Sequence, residues 1–569
     1  MKHPLGGGAF RFLVLAAAII GVAGPAPQAQ AGDVASGSGD GMARSVSAPG
    51  PVDGRCERQR AISDALAALM VEADPSADDA FWVYAAQGLS PVWHRGGRPT
   101  EAAWRLIEAL VRADRHGLDP GAYLPLDWWL EIGRAEQGLL TPERTAALDL
   151  RLTRGFLAYA ADMVSGPGAV LQGLKGWHLS VRKVDAVSLL AEAISAGDAS
   201  AALAALTPRH RQYGRLQDAL ERYRDLEAQG GWEPVPDGPI LRKGDSGDAV
   251  RAVVGRLLKT GELPPAEARG AAATGLFDRR VEEAVRRFQD RHGLKEDGLV
   301  GPDTRRAMNV SASERVEQIE LQLARWRLLP DLEDRYLMVN IPEFRLRVFE
   351  GDEVTLAMRV IVGKERQPTP VFADSMEYVV FDPYWNVPRS IAVREILPKL
   401  REDPGYLASQ NMEVLVGNHV VDPDLIDWNS LSWGDFPPYR LRQRPGPDNA
   451  LGLVKFLLPN HHAVYLHDTP AHYLFERAKR GFSHGCIRLE RPADLVEYLL
   501  GPRPEGPQSP VEGPLGTRGP RWVVLREPLP VYIVYFTVYV EDDGEVRFLD
   551  DLYGYDSRMY ARLGAKPSV

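Results

Sequence analysis

The sequence predicts a multidomain α+β protein in which a helical region precedes a mainly β region. Between residues 61 and 233, apolar residues recur every three or four positions, which is typical of amphipathic helices. From residue 335 onward they alternate instead, as in RYLMVNI and FRLRVFEG, which is typical of strands. At 569 residues the chain is also too long for a single hydrophobic core.

The first 60 residues are expected to lie outside the folded domains. Lys2 and Arg11 precede the apolar stretch FLVLAAAIIGVAG, and Ala29-Gln30-Ala31 offers a small-residue cleavage site, so residues 1–31 are interpreted as an export signal. The alternative is an uncleaved membrane anchor, although the apolar stretch is shorter than the ~20 residues of a spanning helix. Residues 32–60, rich in Gly, Ser and Pro, are predicted to be a flexible leader.

Two helical units are predicted next. Residues 61–233 are expected to form a helical scaffold domain, because they carry no convergent set of catalytic residue types. A linker at 234–238 leads to a compact unit at 239–310. There we predict helices around RAVVGRLLK and EEAVRRFQD, and a shorter third helix that starts near Pro302.

The β region is predicted to be one domain, residues 335–556, with an insertion. Segment 389–451 breaks the strand alternation with a helical IAVREILPKLRED and a polar stretch that contains Trp428, Trp433, Pro437 and Pro438. Because it lies between strands of one domain, we interpret it as an inserted lid or capping subdomain.

Cys486, in GFSHGCIRLE, is the predicted nucleophile. The only other cysteine, Cys56, could pair with it in an oxidising compartment. Because Cys56 lies in the predicted leader, we favour a free and reactive Cys486. A thiol attacks well only once it is deprotonated, and His467, at the end of AVYLHD, is the predicted general base.

The neighbours of Cys486 are predicted to complete the site. Gly485 allows close backbone approach, so the amides around Gly485 and Cys486 are expected to form an oxyanion hole. His484 is an auxiliary candidate. Arg488 is expected to stabilise the thiolate, to hold a substrate carboxylate or to organise the loop, and the sequence leaves these three roles open.

Composition excludes two other classes of function. The formal net charge of −10 argues against a broad nucleic-acid-binding surface, so no nucleic acid is expected as a partner. The histidines near Cys486 show neither HExxH nor paired-cysteine spacing, so no metal is expected.

Residues 464–490 resemble the catalytic signature of the L,D-transpeptidase family. That signature is a histidine, a spacer and then Ser/Thr-His-Gly-Cys-hydrophobic-Arg/Asn, which stands here as His467 followed by Ser483 to Arg488. Residues 239–310 similarly resemble a small three-helix peptidoglycan-binding module. The positions that carry this second resemblance are Gly244, Gly247, Phe288, Gln289, Gly293, Leu294, Asp297, Gly298, Gly301 and Thr304.

The resemblance implies acyl transfer on bacterial peptidoglycan. Cys486 would attack a tetrapeptide donor stem at diaminopimelate and release D-alanine, and the side-chain amine of a second stem would resolve the thioester into a 3→3 cross-link. It also implies a β-sandwich-like catalytic domain capped by the insertion, acylation by carbapenems and no cofactor. A periplasmic location in a Gram-negative-type bacterium is implied too, with other wall synthases as candidate partners. Ser483, Tyr465, Trp385 and Asn386 are implied as substrate-binding residues.

Two other functions remain open at this stage. A cysteine L,D-carboxypeptidase or endopeptidase would use the same Cys486 and His467 but resolve the thioester with water. A non-catalytic peptidoglycan-binding protein would use only the module at 239–310. The acceptor amine is open as well, between another diaminopimelate stem and a lipoprotein side chain.

Overall fold

The computed structural model describes residues 54–72, 76, 78–166, 171, 174–179, 182–403, 405–431, 439–501 and 519–563. The predicted signal at 1–31, residues 32–53 of the predicted leader, Trp433, Pro437 and Pro438 lie outside the described residues. Two compact units emerge from the chain contacts: residues up to 166 with 183–207, and residues 167–182 with 208–569. Among the described helices, none combines the length and apolarity that a bilayer crossing requires.

The first unit is helical around one apolar core. Thr141 accepts a hydrogen bond from the Arg144 amide and so begins the long central helix, whose buried face includes Leu148, Phe156 and Met163. The unit contains α1 (Gly54–Glu72), α2 (Ala80–Ala86), β1 (His94–Arg95), β2 (Arg98–Pro99), α3 (Glu101–Val111), α4 (Pro120–Tyr123), α5 (Trp128–Glu136), α6 (Pro142–Val164), α7 (Ala186–Ala196) and α8 (Ala199–Ala204).

The leader prediction was wrong for residues 54–60, because α1 already begins at Gly54. Polar side chains tie this start to the first unit. Arg58 donates hydrogen bonds to the carbonyls of Gly138 at 2.9 Å and Leu140 at 2.7 Å. Composition predicted flexibility here because it carries no information about these long-range hydrogen bonds.

The second unit opens with helices. The module predicted at 239–310 has its own core, in which Val253, Val285 and Phe288 are buried. The sequence missed one of its helices, α11. The helices are α9 (Arg211–Ala228), α10 (Asp248–Thr260), α11 (Pro265–Thr274), α12 (Arg279–Arg291), α13 (Pro302–Met308) and α14 (Ala312–Arg327).

Helix α9 lies in the second unit, not in the scaffold predicted at 61–233. Its buried Leu216 and Leu220 share a core with Ile319 and Leu323 of α14 and with the β domain. Periodicity identifies the apolar face of a helix, but not the partner that covers it. The scaffold predicted at 61–233 therefore includes a helix that packs within the second unit.

Nine strands form one sheet in the order β13-β5-β14-β12-β11-β6-β15-β3-β4, and β5 also pairs with β4. The sheet therefore closes on itself through β5, where a sandwich-like domain was expected. Its strands are β3 (Arg335–Asn340), β4 (Arg345–Glu350), β5 (Glu353–Gly363), β6 (Phe372–Phe381), β11 (Val454–Leu457), β12 (Leu466–His467), β13 (Gly481–Ser483), β14 (Ile487–Leu489) and β15 (Arg521–Val534). The hairpin β16 (Val538–Val540) and β17 (Val546–Phe548) follows, with α18 (Pro492–Leu500) and α19 (Tyr555–Leu563) as flanking helices.

The insertion is a separate subdomain with a small core that includes Ile396, Leu400, Val414 and Leu441. It has a four-stranded sheet in the order β7-β10-β8-β9, so it begins at Trp385, before the predicted residue 389. Its elements are β7 (Trp385–Asn386), α15 (Arg389–Ile391), a π-helical turn (Ala392–Ile396), α16 (Leu397–Glu402), α17 (Tyr406–Ser409), β8 (Met412–Val416), β9 (His419–Val421) and β10 (Tyr439–Gln443).

Candidate active site

Strand register brings four predicted site residues to one face of the sheet. Leu466 pairs with Ile487 in the parallel β12–β14 ladder, and both side chains are fully buried. Because successive side chains in a strand point to opposite faces, Tyr465, His467, Cys486 and Arg488 share the other face. Cys486 and Cys56 are both free thiols, as predicted for Cys486.

Ser483 organises the loop that carries the nucleophile. Its hydroxyl donates to the Cys486 carbonyl at 2.5 Å and accepts from the Gly485 amide at 3.0 Å. Ser483 is 2% exposed, so its side chain faces the loop interior and not the substrate-binding surface that was predicted for it. Since the Gly485 amide is engaged, it is also not the free oxyanion donor that the sequence predicted.

A buried turn after β5 fixes the next peptide group. The Thr369 hydroxyl donates to the Gly485 carbonyl at 2.8 Å and accepts from the Gly363 amide at 2.9 Å. The Tyr553 hydroxyl donates to the Gly363 carbonyl at 2.6 Å and accepts from the Thr369 amide at 3.1 Å. The sequence predicted no role for Thr369 or Tyr553, because neither lies near the cysteine motif.

The Cys486 backbone amide, beside the thiol, is not engaged by any acceptor among the described residues. The Ile487 amide donates to the Tyr465 carbonyl at 3.1 Å, and the Gly485 carbonyl is held by Thr369. In a trans peptide the N–H points away from the preceding C=O, so the Cys486 amide points away from Thr369. Within the described residues the Cys486 amide has no acceptor. It is the donor available to an oxyanion in this loop.

The buried His467 is neutral at rest. Burial, together with the charges of Arg488 and Lys455, lowers the pKa of His467 to about 3. Its Nδ1 lies 2.5 Å from the Asp468 carbonyl oxygen, so Nδ1 carries the proton and donates. The Nε2 atom is left as the acceptor, which is the tautomer that a general base needs.

The thiol is also neutral at rest. Burial raises the pKa of the Cys486 thiol, while hydrogen bonds with Tyr465 and the charges of Arg488 and Lys455 partly oppose that rise. The resting pair is therefore a thiol and an imidazole, not a thiolate and an imidazolium. The thiolate has to form when substrate binds.

Two cations lie on the same sheet face. Lys455, which the sequence analysis overlooked, pairs with His467 in the β11–β12 register, and its Nζ lies 5.7 Å from the centre of the Tyr465 ring. Burial lowers the pKa of Lys455, and Cys486 raises it. Arg488 has a buried Nε with no hydrogen-bond partner in the described part of the chain. Both cations are placed to stabilise negative charge near the sulfur.

The remaining predicted residues fall on the insertion side. His484 Nε2 lies 2.5 Å from Glu395 Oε1, in the π-helical turn of the inserted subdomain. Trp385 and Asn386 form β7, which pairs with β10 of that subdomain. They were predicted in the substrate pocket from the family resemblance, and in the structure they lie where the chain leaves the main sheet for the inserted subdomain.

Three family descriptions match segments of the chain. An "L,D-transpeptidase catalytic domain" matches residues 334–524, a "Scaffold domain" matches residues 82–220, and a "Putative peptidoglycan binding domain" matches residues 246–308. Residues 334–524 therefore match an L,D-transpeptidase catalytic domain and residues 246–308 a putative peptidoglycan-binding domain, as the two resemblances predicted. The predicted multidomain α+β architecture is confirmed.

A curated protein of Haemophilus influenzae named "Putative L,D-transpeptidase" is 36% identical over 245 residues, which is 43% of this chain and 49% of that protein. The chain thus matches about half the length of this relative. An L,D-transpeptidase from Mycobacterium smegmatis matches over 35% of this chain and 58% of its own, with 13% identity and a TM-score of 0.18. One from Xylanimonas cellulosilytica matches over 53% of this chain and 100% of its own, with 15% identity and a TM-score of 0.16. Superpositions with scores this low support no structural inference.

Proposed function

We propose that this chain, whose residues 334–524 match an L,D-transpeptidase catalytic domain, forms 3→3 cross-links between peptidoglycan stem peptides through a thioester on Cys486. One observation carries the proposal. A free thiol lies beside an amide donor that has no acceptor among the described residues, on a sheet face that also presents a neutral imidazole. Nucleophile, base and oxyanion donor are the three parts that acyl transfer requires.

Acylation begins with a proton transfer. His467 Nε2 takes the thiol proton as Cys486 Sγ attacks the carbonyl carbon of the L,D-peptide bond at diaminopimelate. The developing oxyanion accepts a hydrogen bond from the Cys486 amide, a donor of a kind that contributes about 3–4 kcal/mol to the transition state. As the C–N bond breaks, the amine of the leaving D-alanine takes the proton from His467. The donor stem is then a thioester on Sγ.

Deacylation repeats these steps with an amine in place of the thiol. The side-chain amine of a second diaminopimelate stem attacks the thioester carbonyl, and His467 takes a proton from that amine. The C–S bond breaks, and the proton returns to Sγ as the thiol reforms. The tetrapeptide stem is the donor and the diaminopimelate amine is the acceptor, with no cofactor in either step.

The setting of the reaction follows from the same proposal. The module at 239–310 would hold the enzyme on the wall, and the export signal proposed at residues 1–31 would place it in the periplasm. Other wall synthases would supply the donor stems. The inserted subdomain, which reaches His484 through Glu395, would act as the cap over the bound stems.

The products distinguish this proposal from its rivals. The full chain, with Cys486→Ala as the inactive variant and Cys56→Ser as the matched control, is incubated with a disaccharide-tetrapeptide, and the products are identified by mass spectrometry. We expect cross-linked dimers from the wild type and from Cys56→Ser, and none from Cys486→Ala. Tripeptide without dimers would indicate the carboxypeptidase. A folded chain without turnover would indicate the non-catalytic binding protein.

A further inference from the structure

Three charged or titratable side chains meet beside the nucleophile loop, and the mechanism above uses none of them. His484 Nε2 lies 2.5 Å from Glu395 Oε1 and 3.5 Å from Lys364 Nζ. The His484 side chain is 27% exposed and that of Glu395 44% exposed. A cation and an anion thus flank one exposed histidine, two residues from Cys486.

Each of the two charges is fixed by a different part of the fold. Lys364 directly follows β5, and its backbone amide donates to the Ser483 carbonyl at 3.0 Å, so it is fastened to the nucleophile loop. Glu395 comes from the π-helical turn of the inserted subdomain. Single-turn π-helical segments inside helices are frequent at functional sites. The charge pair therefore joins the catalytic sheet to the insertion.

The ammonium group of Lys364 pairs with no carboxylate in the part of the chain that the structure describes. An imidazole Nε2–H that donates to Glu395 cannot also accept from Lys364. Within the described residues no acidic side chain pairs with Lys364, and the contact of its Nζ is the one with His484. In the same turn, the buried Oε1 of Gln367 has no donor in the described part of the chain. This side of the loop thus offers both a cation and an acceptor to a ligand.

The two sides of Cys486 differ in chemistry. Strand β14 has β12 on one side and β5 on the other. The β12 side is covered by Tyr465 and Lys455, whereas the β5 side presents Lys364, His484 and Glu395. Acyl transfer between two stems needs two subsites around one thioester, so the β5 side is available to the second substrate.

We propose that Lys364 and Glu395 form the acceptor subsite and bind the zwitterionic amino-acid end of the acceptor stem. Lys364 pairs with the carboxylate of that amino-acid centre, and Glu395 binds its ammonium group and takes one proton from it, so that the neutral amine can attack the thioester, with His484 between Lys364 and Glu395. The inference rests on the proposed function, because it assigns the second substrate of that reaction. It makes the inserted subdomain a supplier of a substrate-binding residue.

The test distinguishes the role of Lys364 from that of Glu395 by comparing two acceptor amines. The full chain is acylated by the tetrapeptide stem, and D-alanine release and amine incorporation are both measured. One acceptor is meso-diaminopimelate, and the other is 1,5-diaminopentane, which has amines but no carboxylate. Lys364→Met and Glu395→Gln are compared with Glu402→Gln, an exposed carboxylate elsewhere on the inserted subdomain.

We expect the wild type to prefer diaminopimelate to diaminopentane by about tenfold, as a charge-assisted hydrogen bond allows. Lys364→Met should remove this preference, and Glu395→Gln should lower the use of both acceptors. In each case the fall in acceptor use should exceed any fall in D-alanine release. Glu402→Gln should match the wild type.

Two results would overturn the subsite. Unchanged acceptor preference in both variants would mean that the charges bind no substrate. If D-alanine release and the incorporation of both acceptors fell in parallel, the contacts would only hold the loop in place. A wild-type chain that releases no D-alanine would refute the proposed function first, and the subsite with it. The melting temperature of each variant shows that it is folded.

Discussion

The Thr369 hydroxyl donates a 2.8 Å hydrogen bond to the Gly485 carbonyl and so orients the peptide group that joins Gly485 to Cys486. Thr369 is fully buried, and it lies 116 positions before Gly485 in the sequence. Because the Cys486 amide belongs to the same rigid peptide plane, its direction depends on this bond. Thr369 is therefore a positioning residue for the oxyanion donor.

Thr369→Val should keep the side-chain shape and lose this donor. We expect the rate of Cys486 acylation by a carbapenem to fall about 10- to 100-fold, because a misdirected oxyanion donor loses most of its effect. Thr369→Ser, which keeps the hydroxyl, should recover most of the rate. A loss in Thr369→Ser with little change in Thr369→Val would indicate a packing role for the Thr369 methyl group, and not the hydrogen bond.

Lys455 should assist thiol ionisation. Its charge lowers the pKa of Cys486, which burial otherwise raises. Lys455→Met should therefore raise that pKa and slow alkylation of Cys486 by iodoacetamide at pH 8 about three- to tenfold. The measurement uses a Cys56→Ser background, because Cys56 is an exposed free thiol. The matched control is Lys259→Met, because Lys259 lies on the exposed side of α10. An equal slowing of Cys486 alkylation in Lys259→Met would show that Lys455 has no special role.

The neutral His467 predicts an unusual pH profile. A base with a pKa of about 3 stays deprotonated from pH 5 upward, so it can accept the thiol proton throughout that range. We expect carbapenem acylation to be nearly constant between about pH 5 and 8, without an acid limb near the ordinary histidine value of about 6.5. A fall in rate with a midpoint near pH 6–7 would show that His467 titrates normally.

Glu343 and Arg347 form a buried ion pair that should contribute to stability. Although burial raises the pKa of Glu343, its two 2.6 Å contacts with Arg347 outweigh that effect, and the pKa falls to about 2. Glu343→Gln should lower the free energy of unfolding by about 3 kcal/mol, because Arg347 would stay buried with only the more distant carboxylate of Glu541, at 3.9 Å, as a countercharge. Urea titration measures this. Glu353→Gln, at an exposed hairpin position, should change stability by less than about 0.5 kcal/mol.

The same ion pair has a pH signature. The folded-state pKa lies below the ordinary glutamate value, so the pair stabilises the fold fully above about pH 5. That contribution should be lost as the pH falls toward 2, where Glu343 becomes protonated. In Glu343→Gln the acid-dependent part of the unfolding free energy should be smaller than in the wild type. An identical acid dependence in both chains would contradict the assignment.

The sequence predicted the parts of the fold and site that depend on short segments. Cys486, His467 and the loop between Ser483 and Arg488 stand in one motif, and strand alternation placed most strands of the β domain. Thr369, Tyr553 and Lys455 were missed, because their roles depend on strand pairings and turns that join distant segments. The motif also could not show that Ser483 occupies the Gly485 amide, whereas the Cys486 amide has no acceptor among the described residues.

Two tertiary placements lay outside what the sequence pattern contains. Helix α9 was predicted as part of the scaffold, and an amphipathic pattern does not identify the packing partner that it has in the second unit. Trp385 and Asn386 were predicted as pocket residues from the family resemblance, and the chain turns into the inserted subdomain there. In both cases the local pattern does not determine the tertiary context.

The most direct test of the central claim is the mass of the full chain after incubation with a tetrapeptide stem. The account predicts an increase equal to the donor stem minus D-alanine, mapped to Cys486 by peptide analysis. The adduct should be absent in Cys486→Ala and retained in Cys56→Ser. D-alanine release without an adduct on Cys486, or an adduct on Cys56 alone, would contradict the cysteine thioester.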